Sequence, residues 1–387
     1  MPYATGRIYC DADSHVMEPA DWIIPFADPE IRPRLKPAPP WEFDLAKAQE
    51  ILRERAADEA KEERARGRLM ATGTMAYGAW DATERSRALD MLGFSAQLVF
   101  HTYAVGAFIG SEDPDVLYGG ALAQNRALAD FCSGDRRLMG VGYLPMKDPS
   151  RAAKLARQSI DLGCKALLVD SHYADKSPAH ADYEPVWGAM ADAGVPFMTH
   201  IGTGGQLVPK GFRNNGRPVP KDWLGGGENI RSKDYLGIGY WPYFFLSCMA
   251  LDGVFEKFPR LRGASIEQGA EWVPTLLRAL DHAQNLFVKT EPDLAALPLR
   301  ASDYIRRQVK FTPFPKEDVR WVIDNVGPEL LMFSTDYPHL EGGHDPLKNF
   351  GENLAGTSDD IQEKFYSRNF GELMGIDVLS LPQPAAV

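Results

Sequence analysis

Short apolar runs rich in β-branched residues recur along the chain, each bounded by turn residues. They are "RIYCDAD" (from Arg7), "AQLVFH" (from Ala96), "MGVGYL" (from Met139), "CKALLVD" (from Cys164), "PFMTH" (from Pro196), "LRGASIE" (from Leu261), "QVKFT" (from Gln308) and "LLMFSTD" (from Leu330). Runs of this length, without strict alternation, suit strands buried on both faces. Most are separated by helical spacing: in "PSRAAKLARQSIDLG" (from Pro149), Ala153, Leu155, Ile160 and Leu162 mark one apolar face. Strands alternating with helices predict an α/β fold with a parallel sheet, and eight such strands predict a (β/α)8 TIM barrel. No GxGxxG follows the first strand, which weakens a doubly wound alternative.

Two stretches break the rhythm and predict insertions after strand one and strand five of a single domain spanning 1–387. Residues 43–68, "FDLAKAQEILRERAADEAKEERARGR", have only Leu45, Ile51 and Leu52 as clear apolar anchors and read as a largely solvated helical excursion. Residues 201–236, "IGTGGQLVPKGFRNNGRPVPKDWLGGGENIRSKDYL", are Gly- and Pro-rich and too long for a simple connection, so a lid-like loop is expected there. Its cations, among them Arg213, Arg217, Lys221 and Arg231, read individually as surface charges, and collectively as a way to meet an acidic substrate.

Composition narrows the partner. The 387 residues carry 53 acidic against 42 basic side chains, a net charge of −11, which disfavours nucleic acid and anionic membrane surfaces and favours a small molecule. No run of about 18 apolar residues is present. The N-terminus lacks a basic region followed by an apolar one, so no secretory signal and a cytoplasmic location are expected. Cys10, Cys132, Cys164 and Cys248 are far apart with no CxxC pair and read as reduced thiols. A homo-oligomer, or an assembly with a related subunit, is the expected state.

In a barrel of this kind the active site forms where the loops converge over the C-terminal strand ends. Strand one ends in Asp13 with His15 just beyond, strand two in His101, and strand four in Asp170 with His172 beyond. Strand five ends in His200, strand six in Glu267 and strand eight in Asp336. Five of the eight histidines, His15, His101, His172, His200 and His339, fall at or near such an end. Neutral imidazole and carboxylate are the natural ligands of zinc, iron and manganese. Asp13 and His15 are two apart, so extended backbone puts them on one face where they can grip one ion. Asp11 shares that parity but lies deeper, and reads as a buried structural carboxylate. His180 and His282, in a loop and a helix, read as ordinary residues.

The stretches "DADSHVMEP", "FMTHIG", "FPRLRGASIEQGAEWVP" and "FSTDYPH", in this order and at these separations, resemble a known family. It is the amidohydrolase-related proteins, which include 2-amino-3-carboxymuconate-semialdehyde decarboxylase and gamma-resorcylate decarboxylase. The resemblance covers most of the chain and implies that Asp13, His15, His200 and Asp336 are metal ligands. One departure matters: the family's strand-six histidine aligns with Glu267. A glutamate cannot be a neutral ligand that becomes a cationic acid, so that histidine's proton-transfer role does not carry over. Lys165 opens strand four, the wrong end of a barrel for the bridging carbamylated lysine of other amidohydrolases.

Glu267 also alters the charge count. Asp13, Glu267 and Asp336 place three negative charges around two imidazoles, which over-neutralises one divalent ion and suits two ions, or a harder metal such as iron or manganese. A single zinc ion, with Glu267 outside its ligand shell or on the substrate, is the other reading. The expected cofactor is therefore a divalent ion, zinc or iron/manganese, one or two per chain, with Glu267 joining the four ligands above.

The expected activity is that of a metal-dependent hydrolase or decarboxylase acting on a small polar or carboxylated molecule. Asp336 would orient a water and take its proton, with His200 and Glu267 completing the catalytic set and His101, His172 and Arg231 binding substrate. The alternative is a dinuclear non-haem iron/manganese oxygenase, a hydroxylase on the same barrel. A third reading, a non-catalytic barrel, is disfavoured by the intact ligand set.

Overall fold

The computed structural model describes residues 2–67, 69, 73–171, 175–202, 207–218, 230–340, 342–343 and 345–382. Seven of the predicted runs form strands: β1 Cys10–His15, β2 Ala96–Phe100, β3 Leu138–Leu144, β4 Ala166–Val169, β5 Phe197–His200, β6 Gly263–Ile266 and β7 Val309–Phe311. They pair in parallel in chain order, from β1 to β7, as one curled sheet. Nearly every residue in them is buried, as expected for a sheet covered on both faces.

The eighth run corrects the expectation of a regular strand. Residues 330–337 make only two isolated bridges, Phe311 to Leu331 and Ser14 to Tyr337. Backbone bonds nevertheless tie the segment to both sheet edges. Phe311 N–H donates to Leu330 O (2.8 Å) and Met332 N–H to Phe311 O (2.9 Å), while Ala12 N–H donates to Phe333 O (3.0 Å) and His15 N–H to Tyr337 O (2.7 Å). The ladder cannot run on regularly because Asp336 has φ +54°, outside extended backbone.

Helices fill the connections: α1 Leu45–Ala57, α2 Glu59–Arg66 and α3 Ala82–Leu92 between β1 and β2, then α4 Pro114–Cys132, α5 Pro149–Asp161 and α6 Glu184–Ala193 after β2, β3 and β4. In α5 the buried face is Ala152, Ala153, Leu155, Ala156 and Ser159, while Leu162, read as part of that face, is the C-cap and is exposed. No helix among the described residues is long and apolar enough to cross a membrane.

The stretch 43–68 is two helices rather than one. Asp58 ends α1 and caps α2, its carboxylate accepting from Ala60 and Lys61 N–H. The stretch is also anchored more firmly than its few apolar residues predict. Ala48, Ile51 and Leu52 pack into a small cluster with Met17, Phe43, Trp80 and Tyr337, and Arg55 makes a buried ion pair with Glu84 at 2.6 Å. The excursion thus leans on residues directly after His15 and Asp336. Of the lid-like stretch, residues 203–206 and 219–229 lie outside the described residues.

Candidate metal centre

The centre is built at the C-terminal ends of β1, β5 and β6 and from the segment 330–337. In β1 the register against β2 shifts between Asp11 and Ser14, so the strand carries an irregularity directly before its functional end. Such a bulge re-aims side chains. Asp11 turns into the structure: its carboxylate accepts from Thr335 N–H (2.8 Å), Thr335 Oγ1 (2.6 Å) and Gln97 Nε2 (2.8 Å), and burial pushes it up to about 7. It stitches β1 to residues 330–337, in keeping with its reading as a structural carboxylate.

Asp13 and His15 point the other way, toward His200, Glu267 and Asp336. His15 Nε2 lies 3.4 Å from Asp13 Oδ1 and 3.4 Å from Asp336 Oδ1. His200 Nε2 lies 3.4 Å from Asp13 Oδ1 and 3.5 Å from Glu267 Oε2. The outer nitrogens are committed elsewhere: His15 Nδ1 is 2.8 Å from the His101 carbonyl, and His200 Nδ1 is 2.8 Å from the Ile201 carbonyl. A carbonyl can only accept, so both Nδ1 atoms carry a proton, and whenever a ring is neutral its Nε2 turns a lone pair toward the carboxylates. His15 Nε2 is buried and makes no hydrogen bond among the described residues.

Acceptors that face one another in a buried site require a cation between them. Protons supply one answer. Burial lowers the basicity of His200, but the Asp13 and Glu267 carboxylates outweigh it and raise the imidazole to about 9. Burial alone would raise Asp13, and His200 and His15 instead hold it below the usual carboxylate range. Burial, then His339, holds His15 down to about 3, so it is neutral. A divalent ion is the other answer, and the donor set of neutral imidazoles and carboxylates fits one. Asp13, His15, His200 and Glu267 offer atoms all within 4.8 Å of one another, and so do His15, Asp336 and His339.

Backbone conformation singles out the same place. Among the described residues the two non-glycine positions with left-handed φ are Glu267 (+52°) and Asp336 (+54°), both carboxylates of this centre. That conformation costs a non-glycine residue of order 1 kcal/mol and persists only where surroundings enforce it. Thr312 does so at Glu267, accepting its N–H through Oγ1 at 2.8 Å. At Asp336 the N–H donates to Asp13 O (2.9 Å). Gly342 closes over this corner: a Cβ there would sit 2.1 Å from Thr335 O and 3.1 Å from Asp336 Cβ, so only glycine allows the approach.

The remaining predicted residues are placed as follows. His101 follows β2, its ring edge-on to Tyr143 at 5.6 Å, and burial, with His200 nearby, holds it down to about 3. Arg231 precedes the short helix Ser232–Gly237, its N–H donating to Asp234 Oδ2 at 3.1 Å, with neighbouring Ile230 in the wall of the adjoining cavity. His172 lies outside the described residues. Asp170 accepts from Tyr143 Oη (2.8 Å) and Met146 N–H (3.2 Å), and burial pushes it up to about 6. A cavity of about 420 Å³ opens beside Glu267, walled by Ile201, Tyr235, Ile238, Phe314 and Leu340 together with the charged Glu271, Lys316 and Glu317.

Three residues of the surroundings had no assigned role in the sequence. His339 stacks on His15 with centroids 4.0 Å apart and places Nδ1 2.9 Å from Asp336 Oδ1. The signal was its spacing, three residues after a candidate ligand. Glu18 is fully buried, accepting from Thr102 N–H (3.0 Å) and Tyr103 N–H (2.8 Å), and so holds the loop after β2. Arg85 is fully buried in α3 and donates to Ser14 Oγ (2.8 Å), His15 O (3.1 Å), Gly78 O (3.2 Å) and Gln97 Oε1 (3.0 Å). Nothing in the sequence separates it from a surface arginine of the same helix.

The chain is similar in fold to an amidohydrolase from Mycobacterium avium subsp. paratuberculosis, with TM-score 0.75 and 20% identity, covering 97% of this chain and 100% of that one. It is similar to 5-carboxyvanillate decarboxylase from Novosphingobium aromaticivorans complexed with manganese and 4-hydroxy-3-methoxy-5-nitrobenzoic acid, with TM-score 0.64, 18% identity and coverage of 97% and 99%. It also resembles a dihydroxybenzoic acid decarboxylase from Polaromonas sp. with bound manganese and 2-nitroresorcinol, with TM-score 0.58, 18% identity and coverage of 96% and 97%. A family profile described as "Amidohydrolase" matches residues 10–373. The chain therefore belongs to this amidohydrolase family and is a metal-dependent enzyme.

Proposed function

We propose that the protein is a metal-dependent decarboxylase or hydrolase of a small polar or carboxylated molecule, working on a (β/α)8 barrel with insertions after strands one and five. The observation that carries this reading is the buried set of imidazole and carboxylate atoms facing one another within 4.8 Å, beside a cavity of about 420 Å³. Asp13, His15, His200, Glu267 and Asp336 would hold the ion. The carboxylate-rich set suits manganese or iron better than zinc, and manganese accompanies two of the similar decarboxylases. When bound, a divalent ion there supplies Lewis-acid polarisation of an oxygen or an acidified water.

The chain's own residues do the rest. The apolar wall of Ile201, Ile238, Phe314 and Leu340 takes the body of the substrate and excludes water, which strengthens polar interactions at the ligand end. Asp336, buried between the imidazoles of His15 and His339, exchanges the proton that either reaction needs. His101, neutral and within the electrostatic reach of His200, His172 and Arg231 are assigned to the substrate. The similar decarboxylases act on carboxylated phenols by their names, and we place the substrate of this protein among small ring compounds of that kind. None of the similar structures named above supports the oxygenase alternative.

Manganese-loaded enzyme should release carbon dioxide from a panel of hydroxybenzoates, or open an ester or lactone panel, and lose that activity on chelation. Turnover that survives complete metal removal would sink the proposal.

A further inference from the structure

We infer that the substrate cavity continues into a second subsite, an aromatic groove beyond Tyr235 and Phe314, and that the substrate carries a second aryl group to fill it. The inference rests on the reading above, in which the cavity beside Glu267 takes the substrate, and extends it from a single ring to a two-part aromatic acid.

A second cavity of about 400 Å³ adjoins the first. Tyr235, Glu271, Phe314 and Glu317 line both, so the two spaces meet across the Tyr235 and Phe314 rings, whose centroids are 5.6 Å apart. Sites for drug-sized ligands occupy about 300–1,000 Å³, so the second space has room for a ring of its own. Its remaining wall is largely Leu236, Tyr240, Tyr243, Phe244 and Trp272. All but Trp272 come from the stretch "DYLGIGYWPYFF" (from Asp234). Tyr240 and Phe244 are four apart in the helix Tyr240–Leu251 and so share a face.

The groove has a fixed floor. Its rings touch in series, Tyr240 to Phe244 at 5.0 Å between centroids, Phe244 to Tyr243 at 5.6 Å and Tyr243 to Trp272 at 6.3 Å. Trp272 Nε1–H donates to Gln268 O at 2.9 Å. A Cβ at Gly239 would lie 2.7 Å from Trp272 Cδ1, so the chain rests directly on the indole. Phe314 is held through the buried Glu317 carboxylate, which accepts from Phe314 N–H (3.1 Å) and from Ala270 N–H (2.9 Å), three residues past Glu267. The wall shared by the two cavities is therefore bonded to the segment that carries a carboxylate of the centre, and such preformed surfaces bind at little ordering cost.

On this floor the outer side chains stay open to solvent: Leu236 is 83% exposed, Tyr240 52% and Phe244 51%. Large apolar side chains gathered at one place on a surface mark a binding site. Continuity with the cavity beside Glu267 selects the occupant, an arm of the substrate that passes Tyr235 and Phe314. An aryl group suits it, because rings meet rings edge-on or offset with a gain beyond their buried area. Glu271, at the junction of the two spaces, offers an acceptor to a hydroxyl or N–H between the two rings.

Binding tests this without requiring turnover. Manganese-loaded full-length protein is titrated calorimetrically with 2-hydroxybenzoate and with its 4-phenyl and 5-phenyl derivatives. At least one phenyl derivative should bind about tenfold tighter or more than the parent acid. Tyr240→Ser/Phe244→Ser should abolish that gain and leave 2-hydroxybenzoate affinity unchanged. Should the double variant fail to fold, Tyr240→Ser alone should cost the phenyl derivative about threefold or more. No gain from either phenyl group, or a gain that survives in the variants, would overturn the inference. Sedimentation covers the other occupant: a dimer in the parent that becomes monomeric in the variant, with no phenyl gain, would make the groove an interface between copies and overturn the inference. Tight binding of a phenyl derivative without carbon dioxide release or hydrolysis supports the subsite and counts against the functional reading alone. Turnover of 2-hydroxybenzoate with no phenyl gain counts against the subsite alone.

Discussion

The two sheet edges that meet at the candidate metal centre present their carboxylates and imidazoles by different means. β1 presents Asp13 and His15 from a strand, two residues apart and buried on all sides. Across the seam, residues 330–337 present Asp336 from a left-handed residue in a segment with only isolated bridges. On the strand the backbone shifts register between Asp11 and Ser14 but needs no left-handed residue to present Asp13 and His15. At Asp336, and likewise at Glu267 past β6, the backbone is held where a carboxylate residue would not settle by itself. The difference separates ligands that a strand provides from ligands that the surrounding structure must enforce.

The largest effects should come from removing a ligand without disturbing either edge. His200→Ala takes away a buried imidazole at the end of β5 that packs on Phe100 and faces the Asp13 carboxylate. The metal-free variant should unfold at a lower temperature than the metal-free parent, because Asp13 and Glu267 lose the imidazole that faces them. Manganese affinity, read by chelator competition, should fall by more than about 100-fold, since even outer-shell substitutions cost about 10–100-fold. Asp336→Asn should behave alike. Affinity within tenfold of the parent in both variants would mean that the ion is bound elsewhere.

Arg85 touches both edges and tests whether they are braced together. It bonds Ser14 Oγ and His15 O on β1, and its guanidinium lies over the Tyr337 ring at 4.8 Å. Arg85→Met leaves the buried carbonyls of His15 and Gly78 without this donor, at a cost of about 3 kcal/mol or more by comparison with other broken buried charge networks. Urea unfolding measures it. A loss below about 1 kcal/mol would show that the edges stand without the shared brace.

Glu18, just beyond β1, should reveal itself through pH. Burial pushes its carboxyl from 4.5 up to about 7 while Tyr103 and Thr102 N–H pull it down. The folded state therefore holds the proton more tightly, so this group's stabilisation is present below about 4.5 and is lost as pH rises toward 7. The slope is about 1.4 kcal/mol per pH unit across that window. Glu18→Gln lacks the slope, so the stability of the parent relative to the variant should fall between pH 5 and 7. A constant difference would show that Glu18 does not titrate there.

Legibility followed the same division. The strands, the parallel order and the site carboxylates at strand ends follow from apolar runs and from what must lie at the mouth of such a sheet, and Asp13, His15, His200, Glu267 and Asp336 are indeed gathered there. What escaped depends on contacts between distant residues. The irregular backbone of 330–337 hides behind a run as apolar as any strand. Arg85 looks like any helical arginine until the fold buries it. Asp58 did carry a local signal, an acidic cap in mid-helix, yet the Ala- and Glu-rich pattern around it masked the break. His339 was visible at a strand end, but its contacts with Thr102 and with the His15 ring come from far away in the chain.

The smallest effect tests the opening contrast most directly, by comparing glycine with alanine at one position at a time in metal-free protein. Both substitutions delete the same carboxylate, so their difference reports backbone conformation. At Glu267 (φ +52°) and Asp336 (φ +54°), glycine relieves the clash that a Cβ suffers in left-handed backbone. The glycine variant should therefore be more stable than the alanine variant by about 1 kcal/mol. At Asp13, within β1, the order should reverse, because glycine weakens a strand interior by about 0.5–1 kcal/mol relative to alanine. Paired urea titrations resolve differences of this size when the slopes agree. If alanine were favoured at all three positions, Glu267 and Asp336 would carry no conformational cost, and the two edges would deliver their ligands by the same means.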